Sequence, residues 1–108
     1  MGLPGRHAVK LHPLKLVTIV VEAVLDTRLR QDLLRLGAKG YTCTKADGEG
    51  SRGMRTDDLA GKNLRFETVV SDAVAERILT HLAEQYFPNY AVVAYVQDVS
   101  VVRGDKYV

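Results

Sequence analysis

Apolar and polar positions alternate along the chain with two different periods. Residues 15–22 (KLVTIVVE) are β-branched and almost wholly apolar, the pattern of a strand buried on both faces. Leu25, Leu29, Leu33 and Leu36 then recur at helical spacing. Asp26 is placed to cap that helix and Gly37 to stop it, which predicts a helix over residues 27–36. Residues 40–44 (GYTCT) read as a short strand. In residues 63–70, Leu64, Phe66, Thr68 and Val70 fall on one face of a strand, and Arg65, Glu67 and Val69 on the other. Ser71 or Asp72 caps a second helix on which Val74, Ile78, Leu82 and Tyr86 repeat every fourth residue, and Pro88 prevents its continuation. Residues 90–102 form a long β-branched run. The order βαββαβ predicts an α+β, ferredoxin-like domain: a four-stranded antiparallel sheet with both helices on one face.

That fold leaves a face uncovered. Val17, Ile19 and Val21 alternate with Leu16 and Val20, and Val93 and Tyr95 alternate with Val92, Ala94 and Val96. Two helices cover one side only. Leaving a half-dozen such side chains wet forgoes on the order of 10 kcal/mol, at about 1.5–3 kcal/mol each. The second face therefore calls for a partner, and a further copy of the chain is the economical one.

Between the second and third strands lie fifteen residues, 47–61 (DGEGSRGMRTDDLAG), of which four are glycine. The segment is too long for a simple hairpin turn, and nothing in it offsets the ordering cost of about 1–2 kcal/mol per residue, so it is expected to be mobile without ligand. Ser51, Arg52 and Arg55 lie close together in it. Glycines let backbone N–H groups turn toward a ligand, and a hydroxyl with two guanidiniums suits phosphate or carboxylate. The competing reading is a solvated loop whose arginines pair with Asp57 and Asp58. It is not a Walker loop, because it runs on to two aspartates and a strand rather than into a helix.

Composition narrows the classes. At 108 residues, with 46% hydrophobic and 26% charged residues, the chain is one ordinary globular domain. Residues 1–14 read as a flexible extension and 15–108 as the domain. A formal charge of +2 with acids and bases interleaved does not suggest nucleic acid. The strands also lack the exposed aromatics of an RNA-recognition sheet. Cys43 is the sole cysteine, which fits a cytoplasmic setting and a small buried residue rather than a nucleophile. The start of the chain has no apolar signal region, and no run is long enough to cross a bilayer. No catalytic triad, CxxC or metal-ligand pattern is present, and His81 reads as a surface or partly buried histidine. No metal is expected.

GYTCT, GEGSRGMR, NLRFETVV, QYFPNYA and VVAYVQDV together resemble the PII signalling superfamily over residues 15–104. The likeness is to its PII-like branch associated with bicarbonate transport and carboxysomes, whose G-x-GSR-x-x-R signature opens a mobile T-loop. The resemblance implies a homotrimer with an adenine nucleotide (AMP, ADP, ATP or cyclic AMP) in each cleft between subunits. It implies a regulator rather than an enzyme, and leaves open bicarbonate as a second ligand and a bicarbonate transporter or carboxysome protein as target. By resemblance, Gly50, Ser51, Arg52 and Arg55 match the phosphate-holding signature. Gly40 and Thr42 match the strand lining the cleft, and Glu67 matches an acidic residue near the base. Asn89, Tyr90 and Ala91 match the B-loop, and Arg103 the contacts from the adjacent subunit. The chain departs from classical PII proteins in three ways: its loop has no tyrosine to uridylylate, the loop has no glutamine for 2-oxoglutarate sensing with Mg-ATP, and FPNYA replaces the glycine-rich B-loop. Two other classes fit the residues: a small ferredoxin-like enzyme or acyl-phosphate hydrolase using the arginine loop, and an amino-acid-binding regulatory module.

Overall fold

The computed structural model describes residues 9–47 and 63–103. β1 (His12–Glu22) runs into a 3₁₀ turn (Ala23–Leu25) and α1 (Asp26–Leu36). β2 (Thr42–Ala46), β3 (Asn63–Val70), α2 (Asp72–Gln85) and β4 (Val92–Val101) follow. The sheet order is β2-β3-β1-β4 with every neighbouring pair antiparallel, the ferredoxin-like arrangement expected. β1 is central: Ile19 stands opposite both Phe66 on β3 and Ala94 on β4.

Alternation decides the two faces. Val17, Ile19, Val21, Phe66 and Val70 point under the helices and are at most 1% exposed. They meet Leu29 and Leu33 of α1 and Ile78, Leu82 and Tyr86 from the α2 side in one core. On the opposite face lie Leu14, Leu16, Thr18 and Val20 with Val69, Val93, Tyr95 and Val99, as the strand registers require. Val93 is 56% and Tyr95 44% exposed, so the described residues do not cover this face.

Several boundaries differ from the sequence reading, each for a local reason. β1 begins at His12, so the last residues of the expected extension are paired with β4: His12 with Val101, Pro13 with Ser100 and Leu14 with Val99. Pro13 is tolerated because the pairing with β3 begins only at Lys15, leaving no neighbour to want its missing N–H. Asp26 is not a cap. The 3₁₀ turn has already wound the chain, Leu25 takes the cap position with its side chain buried, and the Asp26 carboxylate pairs with Arg30 one turn on. β2 and β4 each start two residues later than their apolar runs suggest.

The helix ends otherwise follow the sequence. Ser71 Oγ accepts the N–H of Val74 at 3.3 Å, an N-cap, and Asp72 complements the positive end of α2. Gly37 closes α1 at φ 118°, where Ala38 N–H bonds Leu33 O at 2.9 Å. A Cβ at this position would come within 3.0 Å of both Arg77 Nη2 and Val74 Cγ2. Gly37→Ala is therefore expected to destabilise the fold by about 1–2 kcal/mol from the left-handed backbone alone, and more if Val74 cannot move. Urea unfolding at fixed protein concentration, compared with the wild type, measures it.

Candidate functional site

One end of the sheet gathers three features. Glu22 closes β1 opposite Asn63, the first residue of β3, while Ala46 ends β2 opposite the same Asn63. Val92 opens β4 beside Val21. The arginine-bearing segment leaves and returns at this end, and the connection from α2 to β4 arrives at it. Gly50, Ser51, Arg52 and Arg55, with the expected mobility of their loop, lie outside the described residues.

The connection over residues 86–91 is firmly anchored. Tyr86 is fully buried, and its phenol donates to Asp32 Oδ2 at 2.7 Å, reaching from the end of α2 to α1. His81 Nε2 lies 2.9 Å from the same oxygen, and Arg35 Nη2 donates to Oδ1 at 3.1 Å. The Arg28 guanidinium stacks on the Tyr86 ring at 4.5 Å. Burial pushes the Asp32 carboxyl up, but the hydrogen bonds from Tyr86, Arg35 and His81 together outweigh it and hold the group below its ordinary value. Burial, then the Asp32 bond, pushes the Tyr86 phenol up, so it stays a neutral donor. His81 is accordingly part of a helix-to-helix clasp.

From that anchor the chain turns tightly. Phe87 N–H bonds Leu82 O at 2.9 Å, and the N–H groups of Asn89 and Tyr90 both bond Tyr86 O at 3.0 Å. Tyr90 packs against the core with its ring centroid 6.4 Å from that of Tyr86, while Asn89 is exposed. Ala91 N–H donates to Glu22 Oε2 at 2.7 Å.

The remaining residues of interest lie elsewhere. Thr42 and Glu67 are register partners in the middle of the sheet on the open face, level with Thr18 and Tyr95. The Glu67 carboxylate takes a bond from Arg65 Nη2 at 3.2 Å and remains 38% exposed. Gly40 O accepts from Thr68 Oγ1 at 2.6 Å, and a Cβ at Gly40 would meet nothing within 4 Å. Arg103 follows the far end of β4. The ten residues of that strand separate it from Ala91 by about 30 Å. A cavity of about 570 Å³ lies toward the Arg103 end, lined by Leu14, Lys15, Ser71, Asp72 and Asp98 among others, and holds none of the expected site residues. One chain thus brings residues 89–91 to the base of the arginine segment, but not Thr42, Glu67 or Arg103.

Cys43 is half-buried beneath α1, and burial pushes its thiol up against a smaller opposing effect of Arg30, which is no environment for a nucleophile. Among the described residues no group of three His, Cys, Asp or Glu is placed to hold a metal, and no helix is long and apolar enough to cross a membrane. Sequence reasoning missed Asp32 and Glu22. The signal for Asp32 was Tyr86 itself: a phenol at the end of an apolar stripe needs a hydrogen-bond partner when buried.

The model of the family "Nitrogen regulatory protein P-II" matches residues 14–106, and the chain belongs to that family. A structure described as a PII-like signaling protein from Thermus thermophilus is 63% identical, with a TM-score of 0.82 over 92% of this chain and 99% of that one. CPII from Thiomonas intermedia, bound to ADP and bicarbonate, is 28% identical, with a TM-score of 0.83 over 94% and 100% of the two chains. The GlnK–ATP complex of Bacillus subtilis shares the fold at 18% identity and a TM-score of 0.60, over 81% and 83% of the two chains.

Because the folded-state carboxyl of Asp32 sits below its unfolded value of about 3.9, its contribution to stability is present above that value. It is lost as the pH falls through the depressed folded value. Asp32→Asn should cost about 1.5–3 kcal/mol at neutral pH, the worth of hydrogen bonds to a charged group. The difference from wild type should shrink as both are acidified below pH 4. Denaturant midpoints measured from pH 7 to pH 3 test both the size and the sign.

Proposed function

We propose that this member of the P-II family is a regulator that binds AMP or ADP in clefts between copies of the chain, assembled as a homotrimer. The observation that carries the reading is a meeting of parts. The segment bearing Ser51, Arg52 and Arg55 is rooted at the end of the sheet where residues 89–91 enter β4. Its guanidiniums and glycine-rich backbone offer the phosphate chemistry, and the connection offers a rigid wall.

The placement of the other residues favours a cleft made by more than one copy. Arg103 and Ala91 are about 30 Å apart along β4, too far for one nucleotide to touch both in a single chain. A second copy against the open apolar face supplies what is missing, and covers Val93 and Tyr95 as it does so. The ADP and bicarbonate named with CPII make an adenine nucleotide the first ligand to try and bicarbonate the second. On this reading the protein relays adenylate status, with bicarbonate, through the arginine segment to a target in inorganic-carbon metabolism such as a bicarbonate transporter or a carboxysome-related protein. It works in the cytoplasm and catalyses nothing.

Light scattering at micromolar concentration is expected to give three times the chain mass; a monomer would sink the cleft. Calorimetric titration of AMP and ADP tests the site. Arg52→Ala is expected to weaken binding by about 1.5–3 kcal/mol, roughly 10- to 150-fold, with assembly unchanged. Arg52→Lys should recover only part, since a point charge does not replace the planar fork. Unchanged affinity in a properly assembled Arg52→Ala protein would count decisively against it.

A further inference from the structure

The connection from α2 to β4 has almost no backbone donor left to offer. Phe87, Asn89 and Tyr90 give theirs to carbonyls of α2 and of Tyr86, and Pro88 has none. Ala91 is different. Its acceptor is a side chain, the Glu22 carboxylate, at 2.7 Å. A carboxylate oxygen and a phosphate oxygen seek the same kind of donor and carry the same sign of charge. Glu22 is the last residue of β1, and its backbone is fixed by pairing with Asn63, so the carboxylate is presented from a rigid mount. Among the described residues no cation lies within ion-pair distance of it.

Resting on the nucleotide reading above, we infer that Glu22 is a specificity-determining residue, a resident anion that makes the site favour nucleotides with few phosphates. It occupies the one donor of the connection that is not committed to a backbone carbonyl. It also places negative charge where each added phosphate must approach. AMP leaves the Glu22–Ala91 bond intact. A triphosphate reaching the connection must either displace the carboxylate or lie against it, and both cost affinity. The replacement of a glycine-rich loop by FPNYA is then only half of the discrimination; the other half is supplied by β1.

The test is calorimetric titration of AMP, ADP and ATP into the wild type, Glu22→Gln and Glu22→Ala. Glutamine keeps an oxygen for Ala91 N–H and removes only the charge, whereas alanine removes both. The ratio of the ATP to the AMP dissociation constant is expected to fall by about tenfold or more in Glu22→Ala and by a smaller factor in Glu22→Gln. AMP affinity itself should move little. Amide exchange at Ala91 should be slow in the wild type and fast in Glu22→Ala, a readout that needs no ligand. An unchanged ratio in assembled variants overturns the proposal while leaving the nucleotide reading standing. So does an equal loss for all three nucleotides, which marks Glu22 as a brace alone, and so does Ala91 exchange that ignores the substitution. Failure of the wild type and both variants to bind any nucleotide overturns the nucleotide reading, and this proposal with it.

Discussion

The constraint on which the molecule depends is that β1 is apolar on both faces while the described residues supply helices for only one. Val17, Ile19 and Val21 are sealed under α1 and α2, and the same strand turns Leu14, Leu16 and Val20 the other way. β4 repeats the problem beside it with Val93 and Tyr95. A sheet built this way is half a sandwich. β4 is also an edge strand of ten residues, whose outer row of N–H and C=O groups meets no further strand among the described residues. The open face and the open edge both call for a covering partner.

The second constraint acts through a single phenol. Tyr86 ends the apolar stripe of α2, so its ring belongs to the core, but its oxygen must find a partner there. Asp32 meets that need and is itself met by His81 and Arg35. Removing Asp32 would leave the buried Tyr86 phenol without its partner, which makes the cluster worth more than its separate bonds. Its position matters more than its energy. Tyr86 O receives the N–H groups of Asn89 and Tyr90, so the clasp between the helices fixes where the connection runs and therefore where Ala91 N–H points.

Much of this was legible in the sequence because the signals were periodic and local. The alternation in residues 63–70 gave β3 to the residue, the cap of α2 is Ser71, one of the two candidates, and Gly37 gave the stop of α1. The misses share a cause: each depends on a neighbour outside the local pattern. Pro13 looks like a strand breaker until β3 is seen to begin pairing only at Lys15. Asp26 looks like a cap until the 3₁₀ turn before it is seen. Asp32 is 54 residues from the hydroxyl it binds, and Glu22 is 69 from the N–H it accepts. Of the candidate site, the residues at 89–91 and the base of the arginine segment were placed at one end of the sheet by topology alone. That Thr42, Glu67 and Arg103 stand apart from them follows from strand register, which composition and spacing do not encode.

That separation also bears on symmetry. If a cleft takes residues near Ala91 from one copy and residues near Arg103 from its neighbour, two different surfaces of the chain meet in it. A two-fold dimer, in which each patch meets the other twice, and a closed ring both generate such a contact, with as many clefts as copies. Each ligand then touches two chains, so binding and assembly stabilise one another by mass action. In such an assembly β4, paired to β1 along its whole length, would join one patch to the other as a single strand. Coupling between clefts is reciprocal by thermodynamic necessity, whatever its size.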